Sequence, residues 1–450
     1  MSYFPRLSRG ARIGLGGLLA YSSFESYMYL KTLRLIEKRK SLIESAGHSD
    51  ENEHLRFQSA TVSGIFVNPF DEYRPQTAFE FVYVRIMEVV ESLYGSKVEI
   101  HDPQLTATGE IAEVKDLLKA YQPNYELLRN NTQVLKKCME TGFFAPLQKP
   151  NTHAVPIDQQ LLFTWLGQSC SLLQVSGINI LTDPIFSEHL FGKNLGPKRL
   201  VRSPMSLEDV SYATDNKLDL VLVSHNHPDH LEMECVRKIG NSALWIVPLG
   251  LKLVLKRKGV ENVIEMDWWD VVPLNKHLFK EKGLIFPDKY EVAFLPAMHW
   301  SGRYVVDANT SLWGLFILRK NGKSIVYHAG DTGYSEALFE EIGKKYAPIN
   351  LSLLPIGQYC PSWHQKPRHI SPEECMKIAS HVNTTNIMGV HFGTFKLSSE
   401  PILEPKTLFL KLAELQNRQH SYGVPEFGLT YEYNMGLASA PVVSHVLETK

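Results

Sequence analysis

Seven residues, Ser224-His225-Asn226-His227-Pro228-Asp229-His230, constrain this chain more than any other stretch. They carry the pattern His-x-His-x-Asp-His directly after Leu218-Asp219-Leu220-Val221-Leu222-Val223, an apolar run of strand length. A strand end fixes where such a loop begins, and the loop lets successive side chains converge instead of alternating between faces. A single histidine is ordinarily a packed or surface residue. Four specified positions this close together arise by chance on the order of once in a thousand chains of this length. The pattern therefore reads as a metal site built from imidazole and carboxylate.

Such a site needs further donors, and three other strand ends supply them. His299 follows the apolar run 291–295, Asp331 (in Ala329-Gly330-Asp331-Thr332-Gly333) follows 324–328, and His391 (in Val390-His391-Phe392-Gly393-Thr394) follows 386–390. Small residues beside them allow close approach to an ion. Seven donors are too many for one tetrahedral zinc and suit two cations that share a carboxylate, for which Asp331 is the natural bridge. A donor set without thiolate suits zinc, with iron or manganese possible. Asp183 reads as a residue orienting the histidine loop, against a plain turn aspartate. His328 lies on a strand and reads as packed. His364 and His369, in the loop Pro361–Pro372, are open between substrate contact and surface. Trp268 and Trp269 are open between an apolar site wall and ordinary core.

Around these motifs the chain changes texture at Gln160. Short strand-like runs (161–166, 171–175, 178–181) separated by Gly167 and Gly177 give way to strands at 218–223, 244–247, 262–265, 291–295, 311–318, 324–328, 350–354 and 386–390. Helices are expected at 231–239, 250–258, 335–344, 371–382 and 406–416. Hairpins first and alternation later point to an α/β (α+β) architecture, two sheets packed face to face with helices outside. Upstream, 79–93, 112–118 and 125–139 have helical spacing, the first expected to pack on the chain downstream of it. The domain reading is 1–50 as a targeting or membrane-associated segment, 51–155 as a structural extension, 156–435 as the catalytic domain and 436–450 as a tail.

Composition narrows the surroundings. A net charge of -1 over 450 residues argues against a nucleic-acid partner. Five scattered cysteines, without Cys-x-x-Cys, read as reduced thiols. Arg6, Arg9 and Arg12 precede the first acidic residue, Glu25, and 13–24 is apolar and small. Mitochondrial targeting, an anchor to another intracellular membrane and a plain surface tail all fit; the first is the working expectation. The basic run 31–40 suits an anionic membrane surface or a solvated helix.

His-x-His-x-Asp-His, a lone His, Gly-Asp-Thr-Gly and a final His together resemble the metallo-β-lactamase superfamily over about residues 156–435. Finer segments resemble its N-acyl-phosphatidylethanolamine-hydrolysing phospholipase D family. They are Thr182-Asp183-Pro184-Ile185-Phe186, Gly196-Pro197-Lys198-Arg199, Val247-Pro248-Leu249-Gly250, Asp267-Trp268-Trp269, Gly330-Asp331-Thr332-Gly333-Tyr334 and His391-Phe392-Gly393-Thr394-Phe395, with Phe66-Val67-Asn68-Pro69 upstream. The resemblance implies an αββα sandwich with two zinc ions per subunit. It gives His225, His227 and His299 to one ion and Asp229, His230 and His391 to the other, with Asp331 bridging. It implies catalytic roles for Asp229, Asp331 and His369, and substrate contacts from Arg368, His369, Trp300, Trp268 and Trp269. Arg368 stands where the family usually has Gln. The substrate implied is a membrane phospholipid met at a membrane surface, and the family implies a possible homodimer. The N-terminal segment read above adds a mitochondrial (inner membrane) location, with another intracellular membrane as the alternative. Another hydrolase on the same scaffold, acting on a lactone, thioester or soluble phosphodiester, is the alternative, and a silent membrane scaffold the third reading.

Overall fold

The computed structural model describes residues 8–46, 54–90 (apart from 78, 81, 85, 88 and 89), 118–149, 155–192, 194–279, 286–304, 307–436 and 441–444. A helix, α1 (Arg9–Ala46), precedes a small hairpin, β1 (Thr61–Val62) and β2 (Ile65–Phe66). Met28 and Leu35 of α1 pack on Ala60, Val62 and Val67, so the basic and apolar stretches that read as separate form one helix seated on the hairpin.

Two mixed sheets follow. The first joins β3 (Gln160–Gly167), β4 (Cys170–Val175), β5 (Ile178–Thr182), β6 (Leu220–Leu222), β7 (Leu244–Pro248) and β8 (Val263–Met266). The second runs from β9 (Val271–Pro273) through β10 (Tyr290–Leu295), β11 (Leu315–Lys320), β12 (Lys323–His328), β13 (Ile349–Pro355) and β14 (Thr384–Val390) to β15 (Tyr422–Gly423). The chain then returns to the first sheet with β16 (Thr430–Asn434) and β17 (Val442–Ser444), giving the order β17-β16-β3-β4-β5-β6-β7-β8. Hairpins pair antiparallel, whereas β5–β8 and β12–β15 pair parallel, because helices supply the crossovers there. β3, β4 and β5 are buried along their whole lengths, as strands covered on both faces must be.

One core unites Trp165, Phe163 and Ile180 of the first sheet with Phe294, Phe316 and Leu353 of the second, which is the expected sandwich. The five helices expected after 230 form as Met233–Ile239, Lys252–Lys256, Glu336–Tyr346, Pro372–His381 and Glu404–Leu415. Three expectations need correction. The strand expected at 311–318 starts only at Leu315, because the backbone before it bonds elsewhere, Leu312 N donating to the Leu249 carbonyl at 2.8 Å and Gly314 N to the Ser224 carbonyl at 3.0 Å. The tail is not separate: β17 pairs with β16. The described residues between 79 and 90 are helical, yet Phe79, Val82, Tyr83, Ile86, Met87 and Val90 are exposed, with Val84 buried. Of the helix expected at 112–118, all but Leu118 lies outside the described residues. The helix Tyr125–Thr141 forms as expected, capped by Asn124 Oδ1 accepting from Leu127 N.

Candidate metal centre

Strand ends from both sheets deliver the site. β6, β10, β12 and β14 end on one edge of the sandwich, and each ends one to four residues before a metal-type donor: His225, His299, Asp331 and His391. All seven expected donors are buried. They fall into two groups, His225, His227 and His299 in one and Asp229, His230, Asp331 and His391 in the other. Within the first, His227 Nδ1 lies 2.7 Å from His225 Nε2 and 3.3 Å from His299 Nε2. Asp331 faces both groups: its Oδ2 is 3.1 Å from His230 Nε2 and 3.7 Å from His299 Nε2, and its Oδ1 is 3.0 Å from His391 Nε2.

The outer ring atoms set the tautomers. His299 Nδ1 donates to the Arg368 carbonyl (2.9 Å) and His230 Nδ1 to Asp183 Oδ2 (2.8 Å), which leaves Nε2 of each facing inward. Burial works against charge on His230, but Asp331, Asp229 and Asp183 raise it well above the usual imidazole range, so without a cation its Nε2 carries a proton toward Asp331. Lone pairs aimed at one another repel unless a cation sits among them. Three buried carboxylates, Asp183, Asp229 and Asp331, add negative charge to the same volume. The donor set and its tautomers therefore fit two divalent cations sharing Asp331.

Electrostatics agree with that fit. Burial pushes the Asp331 carboxyl up, but His230, His391 and His369 around it hold it well below the usual carboxylate range. Burial pushes His225 and His227 well down, so both are neutral ligands. Burial works against charge on His391 as well, yet Asp331 and Asp229 carry it up to about 9. These carboxylates hold positive charge at the place where a cation would provide it.

Asp183, expected to orient the histidine loop, is bonded to that loop. Wholly buried, with its backbone at φ 38°, it accepts from Ser224 N (2.7 Å), Ser224 Oγ (2.7 Å), His230 Nδ1 (2.8 Å) and His328 Nε2 (3.0 Å). Burial pushes its carboxyl up, but His328 and His230 bring it down to about 2. His328 is thus a packed partner of Asp183. Gly330, at φ 51°, lets β12 turn toward the site; a Cβ there would meet Ser224 Cβ at 2.6 Å.

His369 stands beside the donors, with Nδ1 3.8 Å from Asp331 Oδ2 and its ring 5.1 Å from that of His299. Trp300 lays an edge against His227, ring centroids 4.2 Å apart. Three expected substrate contacts are used elsewhere. The buried Arg368 guanidinium turns away to the carbonyls of His364 and Arg74, so the site receives its backbone carbonyl and not its charge. Trp268 is core, its Nε1 donating to the Trp313 carbonyl at 2.6 Å. Trp269 packs on that core under the Lys345 ammonium. His364 is buried and pairs with Glu80 at 2.7 Å, while Arg74 grips Glu80 with both amines. These contacts tie the upstream extension to the loop of His369. Sequence reasoning missed Gln168, whose Nε2 is 3.0 Å from Asp229 Oδ2; its place in the turn between β3 and β4 was the only signal.

A Beta-lactamase superfamily domain model matches residues 178–392. The chain is 36% identical over 432 residues to the Saccharomyces cerevisiae "N-acyl-phosphatidylethanolamine-hydrolyzing phospholipase D, mitochondrial", covering 92% of this chain and 86% of that one. It is 35% identical over 268 residues to the Caenorhabditis elegans "N-acyl-phosphatidylethanolamine-hydrolyzing phospholipase D 1", covering 57% of this chain and 70% of the relative. Among solved structures, the metallo hydrolase Igni18 of Ignicoccus hospitalis aligns with a TM-score of 0.46 at 26% identity, over 61% of this chain and 98% of its own. With the metallo-β-lactamase domain and near full-length similarity to the yeast protein, the chain belongs to the N-acyl-phosphatidylethanolamine-hydrolysing phospholipase D family.

Proposed function

We propose that this chain is a zinc-dependent phosphodiesterase that hydrolyses N-acyl-phosphatidylethanolamine to phosphatidic acid and N-acylethanolamine. The observation that carries this reading is the convergence of seven buried donors in two groups around Asp331, in a chain of this family. When bound, two zinc ions would supply Lewis acidity to the phosphoryl oxygens and lower the pKa of a water toward neutrality. His225, His227 and His299 would hold one ion, Asp229, His230 and His391 the other, and Asp331 both. Iron or manganese is the alternative for the same donors.

Asp229 orders the attacking water. The new bond joins the water oxygen to phosphorus, the bond from phosphorus to the ethanolamine oxygen breaks, and that oxygen takes up a proton. His369, beside both Asp331 and His299, passes that proton. The half-buried Trp300 walls the site beside His227.

The substrate is a membrane lipid, and we assign the bilayer contact to the upstream helices. α1 exposes Ile13, Leu18, Leu19 and Phe24 near Arg9 and Arg12, and the helical residues 79–90 expose a second apolar face. The root of that second face, Glu80, is held by Arg74 and His364 beside the exposed Trp363. No described helix is long and apolar enough to cross a membrane, so the contact we assign is with the surface. The mitochondrial inner membrane is the proposed site; the name of the yeast relative supports the mitochondrion and goes no further.

The test is hydrolysis of N-acyl-phosphatidylethanolamine in mixed micelles made up in ¹⁸O-water with zinc restored. Attack at phosphorus places the label in phosphatidic acid. Folded, metal-loaded protein that cleaves a soluble lactone or thioester and leaves the lipid intact overturns the substrate assignment.

A further inference from the structure

Gln168 occupies a position that its backbone does not favour. It lies in the turn between β3 and β4 at φ 53°, a left-handed conformation that strains an L side chain and that glycine adopts freely. The main chain there is nonetheless tied on both sides. Gln168 N donates to Thr394 Oγ1 at 2.7 Å, and its carbonyl accepts from Trp165 Nε1 at 2.8 Å and from His391 N at 3.1 Å. The preceding Gly167, at φ 109°, lies so close to Thr394 that a Cβ would meet its Cγ2 at 3.0 Å. The turn is thereby locked to the loop that carries His391.

From that fixed backbone the side chain, 2% exposed, reaches two donor atoms of the second group. Its Nε2 is 3.0 Å from Asp229 Oδ2 and 3.2 Å from His391 Nε2, atoms that lie 3.7 Å from each other. Asp229 comes from the loop after β6 and His391 from the loop after β14; the donor His230 and Gln168 both touch the two, and of that pair only Gln168 stands outside the seven donors. Two of these three residues, Gln168 and His391 (φ 62°), are held in the left-handed region, as is Asp183 behind His230. Backbone strain concentrated around one donor group is the mark of a constrained functional site.

We propose that Gln168 is a positioning residue for the second cation: its amide holds the Asp229 carboxylate so that Asp229 and His391 converge on one ion. This rests on the two-cation reading above. An amide suits the place. It donates to one lone pair of the carboxylate and leaves others for the ion. Unlike lysine or arginine it brings no positive charge against the cation, and it does not titrate.

The test is calorimetric titration of zinc alone, with a competing chelator, into the metal-stripped full chain as wild type, Gln168→Gly and Gln168→Met. Wild type is expected to bind in two steps. Both variants should keep one step at wild-type affinity and weaken the other by about 10- to 100-fold, the usual effect of losing a partner behind a metal ligand. The melting temperature of metal-free Gln168→Gly should equal or exceed that of wild type, since glycine relaxes the turn. A merely structural glutamine would give the reverse, a lower melting temperature with both affinities intact. Variants that bind both ions as wild type does, or weaken both steps equally, overturn the assignment alone. Wild type that takes up a single zinc overturns the two-cation reading and this assignment with it.

Discussion

Replacing Asp183 by Asn changes one atom and tests the frame behind the histidine loop. Its carboxylate accepts four bonds, three of them at Oδ2 from Ser224 Oγ, His230 Nδ1 and His328 Nε2. An amide cannot serve all four: whichever way it turns, its NH₂ group meets a donor. The carboxyl is carried from 3.8 to about 2, which corresponds to roughly 2–3 kcal/mol of stability from the charge. The folded value is the lower one, so this contribution is complete above pH 3.8 and is lost as pH falls through about 2. Counting instead one or two charge-assisted bonds at about 1.5–3 kcal/mol each gives a similar figure. A chain of 450 residues unfolds with an entropy of roughly 0.9 kcal/mol/K, so metal-free Asp183→Asn should melt about 3 °C lower at neutral pH. Because His230 also loses the acceptor that fixes its tautomer, zinc affinity should fall by about 10- to 100-fold. Calorimetry for melting and a chelator competition for zinc measure the two effects. A variant that melts within about 1 °C of wild type and binds zinc equally well would refute the reasoning.

Other expectations rest on the same geometry. Gly330→Ala forces a Cβ to within 2.6 Å of Ser224 Cβ at φ 51°; it should cost at least about 2 kcal/mol and lower both melting temperature and zinc content by mass spectrometry. Trp268→Ala should destabilise by about 3–5 kcal/mol in denaturant titration, because the ring is core. Trp300→Ala should leave stability within about 1 kcal/mol and raise KM for the micellar lipid, since the ring edges the site. Glu80→Ala removes the partner of both His364 and Arg74; steady-state kinetics should show kcat falling with zinc content unchanged, through a loosened His369 loop.

Much of the centre was legible because metal chemistry restricts residue type. His and Asp at strand ends have few other reasons to recur beside small residues, so all seven donors were readable from residues 225–391. Asp183 was readable for a related reason, lying where a strand stops. The tryptophans were not, because an apolar ring at the end of a strand looks the same whether it lines a pocket or, like Trp268, donates to a core carbonyl. Arg368 misled for a different reason: its sequence position beside His369 is right, but direction is a tertiary property, and its guanidinium turns outward. The 79–90 helix shows the limit of periodicity. Apolar spacing announces a buried face but does not say what buries it, and here six of those side chains are exposed. Gln168 carried no motif; only the folded turn brings it to Asp229.

The most direct test of the two-cation account is Asp331→Asn, since the Asp331 carboxylate faces both donor groups. Zinc content and turnover of N-acyl-phosphatidylethanolamine should be measured on the same folded preparation beside wild type. The account predicts two zinc ions and release of phosphatidic acid and N-acylethanolamine by wild type, with fewer than two ions and turnover down at least about 1,000-fold in the variant. A folded Asp331→Asn protein that keeps wild-type turnover would contradict it.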